Sequence, residues 1–286
     1  MIRARMRAPV KKTASINDQG VHGRLRRIEG QHNALVKELR RAFAEGDLTA
    51  DGFCAIEGVR IVEEAIRSGL KFKSVFFRAS AENRAERLLP QIAAYVETLL
   101  LPDKLFASAV PSETPQGVAA LVQCKTFTLM DVLAKVDAGP LLAIAGVQDP
   151  GNLGTMLRSA EAFAAGGVLL GEGTVSPFNS KVVRASAGSV FRLPMARTKL
   201  PDALVQMRER GVKLIATSSH KGTALDKAKL TGPLAIFIGS EGAGLPRELM
   251  AEMDEVVGIP HSANVESLNA GVAASIVLYE AARQKR

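Results

Sequence analysis

Leu141-Leu142-Ala143-Ile144-Ala145-Gly146-Val147 runs straight into Gln148-Asp149-Pro150-Gly151-Asn152-Leu153-Gly154, with Arg158 about one turn further on. The apolar run reads as a buried strand, and the spacing of Leu153, Met156, Leu157 and Ala160 reads as the helix that follows it. The same arrangement recurs twice. Leu234 to Ile238 leads into Gly239-Ser240-Glu241-Gly242-Ala243-Gly244-Leu245-Pro246, and Val256 to Ile259 leads into Pro260, with Ser267-Leu268-Asn269 ahead of a last helix. In an open α/β sheet, ligands bind beyond the carboxyl ends of the strands. Three polar loops in equivalent positions therefore predict one composite site.

Outward from these runs, strands are expected over 141–147, 167–170, 213–217, 234–238 and 255–259. Helices are expected over about 153–165, 178–185, 200–210 and 267–284. Short apolar strands alternating with helices predict a mostly parallel sheet covered on both faces. The last helix carries Leu268, Val272, Ala273, Ala274, Ile276, Val277 and Leu278, which leaves it almost no polar face. It should be buried, and a dimer interface is the favoured place. Upstream, Leu35, Leu39 and Phe43 recur at helical spacing and Phe53 to Ile56 reads as a strand. Val59 to Ile66 reads as an amphipathic helix closed by Ser68-Gly69. Lys73 to Phe77 and Gly117 to Val122 read as strands, with Ala85 to Leu89 helical between them. The division that results is a basic flexible tail over 1–27, a smaller α/β unit over 28–130, a linker over 131–140 and the larger α/β unit over 141–286.

Composition narrows the function classes. Nearly half of the 286 residues are apolar, enough for a substantial core. No run approaches the roughly 18–20 apolar residues of a membrane span, and no secretory leader pattern is visible, so the expected location is cytoplasmic with no membrane partner. Cys54 and Cys124 are the two cysteines, without CxxC spacing, and both read as core residues. His22, His32, His220 and His261 show no ligand spacing, so no metal is expected. The first 40 residues hold ten Lys or Arg against three acids, which places +7 of the net +8 there. A basic arm on a near-neutral body is an electrostatic footprint for phosphate backbones.

Each motif has a plain structural role to set beside a chemical one. Asn152 stands where a helix begins and is expected as its N-cap; Ser267 is expected to cap the last helix in the same way. Arg158 is a cation on an otherwise apolar helix, a situation that ends in pairing, snorkelling or ligand contact. Gly239 to Gly244 is GxxGxG rather than GxGxxG, and no acid falls where a dinucleotide ribose would need it. A GxxxxGK[ST] loop and a GxSxG elbow are also missing, which argues against P-loop and serine-hydrolase chemistry. Asn269 lies in the first turn of the apolar helix, where a surface role is hard to assign.

Taken in order, the three loops resemble the motifs of the SpoU (TrmH-type) ribose methyltransferases of the SPOUT superfamily. The pattern NxGxxxR corresponds to Asn152, Gly154 and Arg158, the second motif to Ile238 through Leu245, and the third to Ile259-Pro260 with Glu266-Ser267-Leu268-Asn269. Arg184-Ala185-Ser186-Ala187-Gly188 with Leu193-Pro194 matches the family's middle segment. The front unit resembles the ribosomal-protein-like RNA-binding domain attached to such enzymes, through Phe53 to Gly58, Val75 to Phe77 and Thr114-Pro115-Gln116-Gly117-Val118. The resemblance implies a trefoil-knotted parallel-sheet α/β domain that forms a homodimer and binds S-adenosylmethionine. It implies backbone contacts to that cofactor at Gly239, Ile259 and Leu268. Catalytic or RNA-phosphate roles are implied at Arg158, Asn152, Glu241, Ser267 and Asn269. The implied substrate is structured RNA, ribosomal rather than transfer, methylated on a ribose 2′-hydroxyl. A base-methylating enzyme and a non-catalytic RNA-binding or ribosome-associated protein of the same fold remain the rival readings.

Overall fold

The computed structural model describes residues 23–112, 115–219, 221–262 and 264–285. Residues 1–22 of the expected tail, and Thr114 of the front-unit motif, lie outside them. In chain order the first unit runs β1 (Arg26–Arg27), α1 (Ala34–Glu45), β2 (Phe53–Glu57), α2 (Val59–Arg67), β3 (Lys71–Arg78), α3 (Asn83–Leu88), β4 (Glu97–Leu101), α4 (Asp103–Ala109) and β5 (Val118–Gln123). Its mixed sheet has the order β1-β4-β3-β5-β2.

The second unit begins with α5 (Leu129–Leu133), β6 (Leu141–Ile144), α6 (Pro150–Ala162), β7 (Gly167–Leu170), α7 (Ser180–Ala185), β8 (Met195–Arg197) and α8 (Leu200–Glu209). It continues with β9 (Lys213–Ser218), β10 (Thr223–Ala224), β11 (Leu234–Ile238), α9 (Arg247–Ala251), β12 (Glu255–Gly258) and α10 (Ala270–Lys285). The seven strands form one all-parallel sheet in the order β10-β12-β9-β11-β6-β7-β8. Side chains alternate between its faces. Leu141, Ala143, Leu169 and Phe237 share a core with Ala203, Leu204 and Met207 of α8. Leu142, Ile144, Leu170, Ile236 and Ile238 pack on the other side with Leu153 and Met156 of α6 and Val277 and Leu278 of α10. Ile144 is in register with both Ile238 and Leu170, so the loops after β6, β7 and β11 open on the same edge.

Several expectations are corrected. β6 stops at Ile144 rather than Val147, because Gly146 turns into the left-handed region at φ 72°. The tail does not run to residue 27: Arg26 and Arg27 pair with Leu99 and Leu100, and the Arg24 guanidinium donates to the carbonyls of Leu89, Ile92 and Ala93. The segment over 131–140 is no free linker. Thr128 and Asp131 form a capping box for α5, and Val132, Leu133 and Val136 are buried against the second sheet. Strands β4, β8 and β10 are additions to the expected set. β8 and β10 are too short for a period-2 signal, and β4 lacks one because Thr98 to Leu101 are buried on both faces.

The units meet through charges of one polarity. Asp47, Glu57 and Glu64 of the first unit face Arg197, Arg184 and Arg192 of the second, at 2.7, 3.7 and 3.0 Å. Arg192 also holds Glu161 of α6 through two hydrogen bonds, which lowers the Glu161 pKa. Gly188, at φ 87°, lies so close to Glu64 that an added Cβ would meet that side chain at 2.7 Å. The Cys54 thiol, pushed up by its contact with Cys124 and by burial, faces the Phe178 carbonyl across the same junction. Both cysteines are free and buried, as core residues should be.

Candidate active site

The loop after β11 is a tight turn. Ser240 N donates to Gly244 O at 3.1 Å and Gly244 N donates back to Ser240 O at 2.9 Å, which leaves Glu241 at the tip. The return strand passes so near Gly239 that an added Cβ would sit 2.0 Å from the Gly244 carbonyl carbon. Glycine at 239 is thus a steric requirement of the turn that presents Glu241.

Asp149, not Asn152, caps α6: its Oδ1 accepts from Asn152 N at 2.7 Å. Asn152 therefore lies inside the first turn, 9% exposed, with its amide free to reach sideways. Asn152 Nδ2 donates to Glu241 Oε1 at 2.7 Å, and Asn152 Oδ1 accepts from Asn269 Nδ2 at 2.8 Å. Asn269 in turn accepts from Val272 N at 3.1 Å. That bond makes Asn269 the cap of α10, in place of Ser267. One continuous hydrogen-bonded chain thus joins the three loops that the sequence placed at equivalent strand ends. Gly154 makes the approach possible from below, since an added Cβ there would lie 2.3 Å from Ala185 Cβ of α7.

Beside this chain is a cavity of about 300 Å³. Gly239, Ile259 and Leu268 line it, together with Glu241, Ser267 and Asn269. Its volume falls at the lower end of small-molecule sites, about 300–1,000 Å³. Apolar walls from Ile238, Ile259 and Leu268 beside backbone and hydroxyl groups suit a ligand that is part heteroaromatic and part polar. Bare backbone at Gly239 leaves room for close main-chain contact. The donor set therefore fits S-adenosylmethionine. Sequence reasoning missed Thr217, Ser218 and His261, which also line the cavity. The abrupt change from Ile215-Ala216 to Thr217-Ser218-Ser219 at a strand end was the available signal. His261 Nδ1 lies 2.7 Å from the Ile259 carbonyl oxygen, so the ring is tied to the cavity wall.

Arg158 is placed elsewhere. It is exposed on α6 and has no hydrogen bond or ion pair with the described residues. On the neighbouring α10, Val272 is 45% and Tyr279 53% exposed. In the single chain one apolar stripe of this helix therefore stays open. The two helices lie side by side, with Ser159 Oγ 2.6 Å from Ser275 Oγ and Phe163 edge-on to Tyr279 at 5.6 Å. No group of three or more potential metal ligands occurs among the described residues, and no helix among them is long and apolar enough to cross a membrane.

Residues 140–279 match the SpoU rRNA Methylase family, and residues 33–120 match the MRM3-like substrate binding domain. The chain is 31% identical over 255 residues to the 23S rRNA (guanosine(2553)-2′-O)-methyltransferase RlmP of Bacillus subtilis, covering 89% of this chain and 98% of that one. Among solved structures, the AdoMet-bound rRNA methyltransferase from Sinorhizobium meliloti superposes with a TM-score of 0.75 at 29% identity, over 91% of this chain and 98% of that chain. The SpoU methyltransferase AviRb from Streptomyces viridochromogenes, in complex with AdoMet, gives 0.74 at 26% identity, over 89% and 98%. With matches that span both units and nearly the whole length of these relatives, the chain belongs to the SpoU rRNA methylase family.

Proposed function

We propose that this protein transfers the methyl group of S-adenosylmethionine to a ribose 2′-hydroxyl of structured RNA, ribosomal RNA in particular. The observation that carries the reading is the hydrogen-bonded chain Asn269–Asn152–Glu241 along the rim of the cavity lined by Gly239, Ile259 and Leu268. When bound, S-adenosylmethionine supplies a methyl group already activated by its sulfonium charge. The protein's own task is to orient the ribose oxygen and remove its proton. Backbone at Gly239, Ile259 and Leu268 holds the cofactor; Asn152, Asn269 and Ser267 fix the rim against which the nucleotide docks. Similarity to a 23S rRNA enzyme over nearly its full length favours ribosomal over transfer RNA.

The chain acts as a homodimer in this reading, joined through the open stripe of Val272 and Tyr279. Arg158, exposed on α6, serves the partner's site, where it holds the phosphate beside the target ribose. The assignment of the first unit, β1 to β5, to RNA binding and of the second, α5 to α10, to methyl transfer, the trefoil knot of the latter and a cytoplasmic location belong to the same proposal. The amino-terminal cations add RNA affinity that falls with salt.

The deciding experiment supplies purified protein with isotopically labelled S-adenosylmethionine and, separately, with unmodified ribosomal and transfer RNA, then maps the product nucleosides by mass spectrometry. Label on a ribose 2′-oxygen of ribosomal RNA is the expected result. Label on a base, or confined to transfer RNA, would replace the substrate assignment. Binding of RNA with no transfer would support a non-catalytic role.

A further inference from the structure

We propose that the cleft between the two units, beyond the ends of β7 and β8, binds one unpaired nucleotide of the RNA substrate, its base stacked on Phe127 and Phe178 and its phosphate held by Lys199. This site rests on the RNA methyl-transfer reading above and adds a second point of contact to it. A pocket of about 180 Å³ lies where the loop after α1 meets the segment between β5 and α5. Leu48 of that loop, Phe127 of that segment, and Phe178 and Met195 of the second unit make its apolar walls. It is smaller than the roughly 300–1,000 Å³ of sites that enclose a whole cofactor-sized ligand, so it suits a single ring system. Beside it is a cleft of about 500 Å³, and the two share Asp47, Leu170 and Arg197 as lining.

Three properties select a nucleotide. First, the two rings are neither sealed in the interior nor free. Phe127 packs against one hydrophobic core and Phe178 against another, and both remain half-buried. The backbone of Phe178 is pinned on both sides: its N–H donates to Ser176 Oγ at 3.1 Å, and its carbonyl faces the Cys54 thiol at 3.7 Å. A held aromatic face is what an unstacked base needs, and every base has a π-face to offer it. Second, the charge suits a phosphate. Arg197 neutralises Asp47 at 2.7 Å. Lys125 and Lys199 are exposed and have no partner among the described residues, and the acid left to oppose them in the lining is Glu172. Third, the cleft lies on the sheet edge that carries the active-site loops, and the ground between is bare. Gly171 N donates to Ile144 O, and Gly146 N donates to Thr174 Oγ1, so the loops after β6 and β7 are joined. An added Cβ would meet nothing nearer than 3.6 Å at Gly173, and nothing nearer than the Ser240 side chain, at 3.8 Å, at Gly146. Gly173, Gly146 and Ser240 thus make a low path from the cleft to Glu241. An RNA strand with one base in the pocket lays its neighbouring nucleotides over that path into the site.

The test uses the full chain and unmodified ribosomal RNA. Ultraviolet crosslinking, with the adducted peptides mapped by mass spectrometry, should place a nucleotide on Phe127 or Phe178. Phe127→Leu keeps the apolar volume and removes the ring, and should weaken RNA binding about 5- to 150-fold, the scale of one lost base–aromatic stack. Phe127→Tyr restores the ring and should bind like the parent. Phe178→Leu is read in the same way, so the outcome does not depend on one variant folding. Over about 50–200 mM salt, Lys199→Ala should reduce the slope of affinity against salt by about one. Phe127→Leu should leave that slope unchanged, because it removes no phosphate contact. Calorimetric affinity for S-adenosylhomocysteine should be unchanged in every variant, which separates this site from the cofactor cavity. Full RNA affinity in both leucine variants, equal losses in Phe127→Leu and Phe127→Tyr, or adducts confined to residues outside the cleft would overturn the base site. A Lys199→Ala slope equal to the parent's would overturn the phosphate contact. A parent protein that binds no ribosomal RNA would instead refute the reading on which the site rests.

Discussion

Asn152 Nδ2 donates to Glu241 Oε1 at 2.7 Å across 89 residues of sequence, and that single bond ties the loop after β6 to the loop after β11. Asn269 completes the link from the other side.

Reversing the polarity of that bond gives a double-mutant test. Asn152→Asp sets a carboxylate against Glu241 and should destabilise the fold by about 1–3 kcal/mol, the cost of a lost and repelled polar contact. Adding Glu241→Gln re-forms the bond with Gln as donor and should recover most of that stability while methylation stays absent. Urea unfolding of the two single variants and the double variant measures the coupling. Simple additivity would show that the pair does not communicate.

Gly239→Ala should abolish S-adenosylhomocysteine binding with the sheet intact. Its Cβ would need the space 2.0 Å from Gly244, so the turn must open. Far-UV circular dichroism beside calorimetry checks this; retained affinity would mean that the turn relaxes without disturbing the cavity.

If the proposed dimer forms through α10, Val272→Asp combined with Tyr279→Asp should give monomers by light scattering. If Arg158 serves the partner's site, a mixture of Arg158→Ala and Glu241→Gln chains should be more active than either alone. Mixed dimers contain one site in which both native groups meet. A mixture no more active than its components would place Arg158 in its own chain's site or outside catalysis.

The junction predicts a division of labour. Arg184→Ala with Arg192→Ala removes two of the three inter-unit pairs and part of the hold on Glu161. Methylation of ribosomal RNA should fall several-fold while S-adenosylhomocysteine affinity is unchanged. Such partly exposed pairs contribute modestly to stability, about 0–1 kcal/mol each, so the fold should survive. A parallel loss of cofactor affinity would contradict this separation.

Asp103 supplies a pH test of the first unit. Hydrogen bonds from the Arg78 guanidinium and Ser80 pull its pKa down to about 2. A depressed carboxylate stabilises the fold fully above its ordinary unfolded value near 4, and that contribution is lost as pH falls toward 2. Asp103→Asn should therefore lower the urea midpoint at pH 7 and lower it clearly less at pH 2.5. An equal loss at both values would assign the effect to packing.

The sequence by itself determined the parallel sheet, the three loops at strand ends and the residues Asn152, Glu241 and Asn269 that join them. Its apolar runs at Leu141, Leu234 and Val256 each stop at Gly or Pro, and that punctuation is local. It also placed Gly239 and Gly154, although not the reasons for them, which are contacts with Gly244 and Ala185. Only the tertiary structure decided that Asp149 rather than Asn152 caps α6 and that Asn269 rather than Ser267 caps α10. Any of these side chains can cap a helix, and the choice depends on which has a competing partner across the sheet. The open stripe of Val272 and Tyr279 was likewise invisible in a helix that reads as apolar on every side. Composition states how much apolar surface a helix carries; which part is covered depends on neighbours that arrive from more than a hundred residues away, as Ser159 does to meet Ser275.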